Sequence, residues 1–223
     1  MEVQASELDK YWRISGVNYL GGIHTVDLMK KLLDEGREKT QDKWAAHYER
    51  KRDRDEFHTP DYPLFYGLVK ALYAARDDSA QSAQIVEAQK FIKNTSRSRR
   101  IMTLTRIAYQ STGDDLVIHN YGTRDSYERH VDFITSSEWI TDTSKPASYQ
   151  ALLDTQDSVQ DIDTVLHWFN GTNTYAWKIN SKPDKVIERV GGFNASSGWA
   201  GLSCYRNLMF SDPTLGVRLH KKV

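Results

Sequence analysis

The chain closes with four short runs that are rich in β-branched, aromatic and other apolar residues. Turn-forming Gly, Pro, Asn, Ser and Asp residues separate these runs, which is typical of strands in an antiparallel sheet. We predict strands at Thr174–Ile179, Lys185–Phe193, Trp199–Tyr205 and Leu215–Leu219. Such a sheet buries its apolar face only when other elements pack on it, so the remainder of the chain has to supply that layer.

Helical spacing dominates the first hundred residues. Tyr11–Leu20 predicts one short strand that ends at Gly21-Gly22. Beyond it, Thr25 is a candidate N-cap, and apolar residues then recur at helical intervals, which predicts a long amphipathic helix from Val26 to Arg50. Two further helices are predicted, one that Asp61-Tyr62-Pro63 opens and one at Ser82–Lys93.

The pattern changes in the middle of the chain. Ile101–Tyr109 and Leu116–Tyr121 are β-rich runs that a short polar turn separates, which predicts a hairpin. Asp157–Phe169 has helical spacing and is followed by Asn170-Gly171, a common helix ending. Two apolar patches, Phe133–Ile140 and Ser148–Leu153, do not indicate a type of element.

These patterns together predict a single α+β domain over residues 1–223. In this prediction a helical N-terminal half, residues 1–100, packs on a small antiparallel sheet that the strand-rich half, residues 101–223, provides.

The overall charge and hydropathy exclude several classes of partner. The chain has 30 basic and 30 acidic residues, so no global field attracts nucleic acid, and we expect no nucleic-acid partner. No apolar run approaches the length of a membrane span, and residues 1–11 lack the layout of a secretion signal. We expect a soluble protein, in the cytoplasm or on a viral particle or cell surface.

Catalytic and metal-binding motifs are not evident in the sequence. Cys204 is the only cysteine, which excludes an intramolecular disulfide and a site built of several thiolates. The seven histidines have no metal-ligand spacing, and acidic pairs such as Asp114-Asp115 fit solvated turns. We therefore predict no cofactor, no metal and no enzymatic activity.

The segment Gly191–Met209 has an unusual composition. Ten of its nineteen residues are Gly, Ser, Asn or Tyr, the residues that recognition loops use for adaptable contacts. Strand alternation predicts that Leu202 and Cys204 face the core, whereas Gly201, Ser203 and Tyr205 face outward. Composition alone leaves open whether Trp199 is a surface anchor or a core residue.

The motifs of this segment resemble the end of a C-type lectin domain. The relevant residues are Gly191-Gly192-Phe193, Trp199–Ser203, Arg206-Asn207 and Leu215–Leu219. The branch that they resemble is shared by formylglycine-generating enzymes and by variable proteins of diversity-generating retroelements, here of the archaeal or archaeal-virus type. In those variable proteins, template adenines mutate during reverse transcription, so that Asn codons scatter to Ser, Tyr, Gly, Arg and other residues. The resemblance implies a C-type lectin fold with a variable region at 190–219.

The same resemblance implies which residues contact ligand. They are the positions that match the diversified surface: Asn194, Ser196, Trp199, Ser203, Tyr205, Arg206, Asn207, Leu208 and Met209. The expected function is ligand recognition through a diversified surface, and the expected partner is a protein or a cell-surface structure. A formylglycine-generating oxidase is the alternative, but that chemistry uses a cysteine pair and Cys204 stands alone. An attachment component of a viral particle is compatible with ligand recognition.

Overall fold

The computed structural model describes residues 9–51, 56–79, 82–133 and 135–220, and it confirms the α+β class. The helices are α1 (Gln41–Lys51), α2 (Tyr62–Ala74), α3 (Ser82–Ser98), α4 (Pro146–Leu153) and α5 (Val159–Asn170), with short 3-10 segments at Leu33–Gly36 and Ile140–Asp142. The strands are β1 (Tyr11–Tyr19), β2 (Gly22–Leu32), β3 (Ile101–Tyr109), β4 (Asp115–His119), β5 (Tyr127–Val131), β6 (Glu138–Trp139), β7 (Thr174–Trp177), β8 (Ile187–Ala195), β9 (Ala200–Arg206) and β10 (Leu215–Leu219).

The prediction of a long helix from Val26 to Arg50 is wrong for its first half. Residues 22–32 form β2, and only Gln41–Lys51 is helical. β2 is antiparallel to β1 on one side and to β10 on the other, so Val26 and Leu28 are fully buried in a three-stranded sheet. Spacing along one segment cannot reveal a strand partner that lies far away in the chain.

A buried carboxylate joins the three strands of this small sheet. Asp27 on β2 has no exposed surface, and Arg13 on β1 donates from Nε to its Oδ1 at 2.8 Å. Arg218 on β10 donates from Nη2 to Oδ2, also at 2.8 Å. Because Asp27 satisfies its charge only when both neighbouring strands are in place, it ties the chain's last strand to its first hairpin.

The sheet in the strand-rich half is larger than predicted and is mixed. Its order is β5-β4-β3-β8-β9-β7-β6, and β7 is parallel to β9 whereas the other neighbours are antiparallel. Helices α4 and α5 lie in this half, and the hairpin of β1 and β2 lies in the other. The two halves share one buried core that contains residues from Trp12 to Val217.

The inner face of the seven-stranded sheet carries Phe193, Leu202 and Cys204, and helix α2 packs on it. Phe65 of α2 contacts the rings of Phe193 and Phe169, with centroids 4.9 and 6.5 Å apart. The predicted start of α2 is confirmed, since the Asp61 carboxylate accepts from the Leu64 amide at 2.9 Å and caps the helix.

Several other sequence predictions agree with the structure. Helix α5 ends at Gly171, which adopts the left-handed conformation with φ of 80°. The two strands of the predicted hairpin are β3 and β4, and the patch at Ser148–Leu153 belongs to α4. Within the described ranges, no helix combines the length and the apolar character that a bilayer crossing requires.

Candidate recognition surface

The outer face of the seven-stranded sheet is covered at one end and open at the other. Around β3 and β8, Trp44 and Tyr48 of α1 pack with Met102, Leu104 and Val190. At the other end, the outward positions of β9, β7 and β6 carry aromatic side chains that are partly exposed to solvent. This open end is the part of the sheet available to a partner.

The alternation predicted for β9 holds for its inward row. Leu202 and Cys204 are completely buried, and Tyr205 is 44% exposed. Ser203, which was expected to contact ligand, is buried, with only 2% of the residue exposed. Ser203 pairs with Trp177 on β7 and with Gly192 on β8, so strands flank it on both sides. Alternation identifies the face of a residue but not what lies above it.

Five aromatic side chains form one continuous row on the open end of the sheet. Ring centroids are 5.0 Å apart for Trp139 and Tyr175, and 4.8 Å apart for Tyr175 and Trp177. From Trp177 the row branches to Trp199 at 5.7 Å and to Tyr205 at 6.1 Å. We call these five residues the aromatic row. Its members support one another, so the surface that they present is largely preformed.

Two glycines make room for large side chains on this face. A Cβ on Gly201 would lie 2.5 Å from the Trp199 ring, so the indole rests directly on the strand. A Cβ on Gly192 would lie 2.6 Å from Nε of Arg100. Trp199 is therefore half-buried against the outer face and belongs to neither buried core, which favours the surface interpretation over the core interpretation.

The loop that carries Trp199 is held by hydrogen bonds. The Ser196 amide donates to the Trp199 carbonyl oxygen at 2.8 Å, and the Gly198 amide donates to Oγ of Ser196 at 3.1 Å. From α5, Nδ2 of Asn170 donates to the Trp199 carbonyl oxygen at 3.2 Å. Asn194 is partly buried at the edge of this loop, and its Oδ1 has no hydrogen-bond partner.

Residues 206–210 form a second, more exposed part of the surface. A β-bulge ends the regular pairing of β9, since Val190 pairs with Arg206 whereas Gly192 pairs with Ser203. The Arg206 guanidinium lies 3.8 Å from the centre of the Phe210 ring. Met209 is 82% exposed, and Asn207 accepts from the Met209 amide at 3.0 Å. Leu208 differs from them, because it packs against the core below α1.

The sequence prediction missed three members of the aromatic row. Trp139 lies on β6, and Tyr175 and Trp177 lie on β7, outside the C-terminal segment that carries the unusual composition. The alternation of aromatic residues in Tyr175-Ala176-Trp177 was the available signal, since it places two rings on one face of a strand. Phe210, which is also exposed, was missed as well.

An open groove of about 420 Å³ borders the aromatic row. The groove lies beyond the last residue of β9, in the space between the end of β7 and the start of β8. Its walls are formed by Ser137, Trp177, Ile179, Asn180, Arg189 and Tyr205, and Lys178 completes the lining. The groove and the aromatic row share Trp177 and Tyr205, so one ligand can contact both.

The only cysteine has an environment that suppresses thiol chemistry. Cys204 is fully buried, and desolvation raises the pKa of its thiol to about 12. The group is therefore a protonated, inward-facing side chain at neutral pH. Across the part of the chain that the structure describes, His, Cys, Asp and Glu side chains form no cluster of three that could hold a metal ion.

Comparisons with protein-family models, curated proteins and solved structures give no match for this chain.

Proposed function

We propose that this protein binds a macromolecular partner through the aromatic row and the loop at residues 206–210. The observation that carries the proposal is the continuous row of five rings on the uncovered end of a sheet. Trp, Tyr and Arg dominate the binding energy of protein interfaces, and Trp and Tyr bury large areas at a small cost in side-chain entropy. Trp199, Tyr205 and Arg206 are the anchors in this proposal.

The orientation of the rings favours a protein partner over a ligand that stacks. The angle between ring planes is 80° for Trp139 and Tyr175 and 63° for Tyr175 and Trp177. It is 70° for Trp177 and Trp199. Their faces are therefore turned partly toward one another. A platform for bases or sugar rings needs faces that lie open to the ligand. A self-packed aromatic patch with a polar rim is instead the usual centre of a protein interface.

We further propose that part of this surface is diversified by a retroelement, on a C-type lectin scaffold. Exposure supports this for Tyr205, Asn207 and Met209, whose side chains can change without disturbing the buried row of Leu202 and Cys204. A genomic test is decisive: a near-copy of the codons for Gly191–Met209 should lie close by, differ at adenines, and neighbour a reverse transcriptase gene. Absence of both elements from the source genome would refute diversification, but not binding.

The binding proposal is tested with displayed random peptides selected on the immobilised full-length chain. Tyr205→Ala with Met209→Ala removes two exposed apolar side chains of the proposed surface. Ile23→Ala with Val86→Ala is the matched control, because these residues are also exposed and apolar but lie on β2 and α3.

The selected peptides should lose at least about tenfold in affinity for the first variant and bind the control variant like the wild type. Both variants should keep the wild-type melting temperature within a few degrees, because exposed side chains contribute little to stability. Equal binding by both variants would refute the proposed surface.

A further inference from the structure

The groove beside the aromatic row has one cation that no carboxylate of the described residues neutralises. Nζ of Lys178 donates to the Glu138 carboxylate at 2.7 Å, so this lysine is already paired and is shielded from solvent. Arg189 differs, because its Nη1 donates to the neighbouring Glu188 carbonyl oxygen at 2.9 Å. Among the described residues no carboxylate pairs with Arg189, and none of the groove's lining residues is acidic.

The hydrogen-bonding character of the groove adds to this charge. Arg189 retains further N–H groups for a ligand, because a guanidinium has five and one is used. The groove therefore offers guanidinium donors beside two aromatic walls, Trp177 and Tyr205. Its complement is a ligand with acceptors and negative charge.

A second hollow elsewhere in the molecule lacks this property. It lies between the turn of β1 and β2, helix α2 and the segment after α4, and has a volume of about 330 Å³. Its lysine, Lys70, donates to both carboxylate oxygens of Asp157 at 2.7 Å, and Tyr66 donates to Oδ2 of the same carboxylate at 2.7 Å. The charges there neutralise one another, so no ligand charge is specified.

We propose that the groove receives an acidic, extended segment of a partner protein. In this arrangement a Glu or Asp carboxylate pairs with the Arg189 guanidinium, and an adjacent apolar side chain of the segment packs against Trp177 and Tyr205. A charge-assisted pair to a guanidinium is among the strongest polar contacts in proteins. Here Arg189 can form such a pair without first breaking an existing ion pair within the described residues. The inference rests on the proposed function, since it assigns a chemistry to part of that surface.

Charge also decides against single-stranded nucleic acid as the occupant. Such ligands require a positive track that follows several phosphates. The lining of the groove supplies one guanidinium without a carboxylate partner among the described residues, and the whole chain has no net charge. One guanidinium is suited to one carboxylate.

The test uses random peptides of about a dozen residues, displayed on phage and selected on the full-length chain. Enriched peptides are synthesised with a fluorescent label, and their affinities are measured by anisotropy at low and high salt. Arg189→Glu is the test variant. Lys90→Glu is the matched control, because it makes the same charge change at an exposed lysine of α3 that does not line the groove.

Peptides that carry Glu or Asp beside an aromatic or aliphatic residue should be enriched. Their affinity should fall at least about tenfold for Arg189→Glu, fall with rising salt, and stay unchanged for Lys90→Glu. Exchanging the peptide's acidic residue for Lys should restore binding to Arg189→Glu, a result that a merely unfolded variant cannot give.

Other outcomes overturn the inference in recognisable ways. Peptides that depend on Tyr205 and Met209 but show no acidic enrichment would overturn the acidic occupant and leave the proposed function in place. Peptides that are indifferent to Tyr205, Met209 and Arg189 would overturn both. Tighter binding of a labelled oligothymidylate than of the acidic peptides would assign the groove to nucleic acid instead.

Discussion

Replacing Gly201 with alanine is expected to lift the Trp199 indole off the sheet and to weaken the aromatic row. The added methyl carbon would lie 2.5 and 2.9 Å from two carbons of the indole and 2.9 Å from the Asn194 carbonyl oxygen. Carbon atoms in contact are separated by about 3.5–4 Å, so the ring has to retreat by about 1 Å or more. The carbonyl oxygen belongs to the paired strand β8 and cannot retreat as freely.

The expected loss of stability follows from three contributions. Crowding in a packed site costs about 1–3 kcal/mol. Loss of the ring contact between Trp199 and Trp177, now 5.7 Å between centroids, adds about 0.5–1.5 kcal/mol. Alanine restricts the unfolded chain more than glycine does, which returns about 0.4–1 kcal/mol. The net destabilisation should be about 2 kcal/mol, with a red shift in tryptophan emission because the indole becomes more solvated.

Gly198→Ala is the control for this prediction. A methyl group there would have only Oγ of Ser196 within 4 Å, at 3.9 Å, so it should be tolerated. Urea unfolding of both variants, followed by fluorescence, gives the comparison. With a slope of about 2–3 kcal/mol per molar urea, Gly201→Ala should lower the midpoint by roughly 1 M. If both variants unfold at the wild-type midpoint with wild-type emission, the close packing of Trp199 on Gly201 is refuted.

Two further predictions concern buried polar groups below the surface. Tyr62→Phe should lower the free energy of unfolding, measured in urea, by about 2 kcal/mol. The Tyr62 hydroxyl accepts from the Gly192 amide at 2.9 Å and donates to the Gly192 carbonyl oxygen at 2.5 Å, so both backbone groups would be left buried without a partner. An unchanged midpoint would contradict this. Burial raises the pKa of the Asp61 carboxyl to about 7 and lowers the pKa of the His119 imidazole to about 4. The folded chain thus binds the Asp61 proton more tightly than the unfolded chain, which lowers stability as pH rises from about 4 to 7, whereas His119 lowers stability as pH falls from about 6.5 to 4. Unfolding free energies measured across this range should therefore rise more steeply with pH in Asp61→Asn and less steeply in His119→Gln than in the wild type; parallel curves for all three proteins would refute the assignment.

Half of the candidate surface could be anticipated from local sequence. Composition and alternation drew attention to Trp199, Tyr205 and Met209, which lie on the uncovered end of the sheet. Trp139, Tyr175 and Trp177 could not be connected with them, because three separate strands have to align before the rings meet. The role of the Arg189 guanidinium could not be predicted for the same reason, since its groove forms only where β9 ends between β7 and β8.

The sequence alone determined those elements whose signals lie within a few residues of one another. The Asp61 cap set the start of α2, Gly171 set the end of α5, and alternation placed Leu202 and Cys204 in the core. Only the tertiary structure decided that residues 22–32 form a strand, because β10 supplies a partner from the far end of the chain. It likewise buried Ser203 and assembled the aromatic row, since crowding and contact depend on neighbours that are distant in sequence.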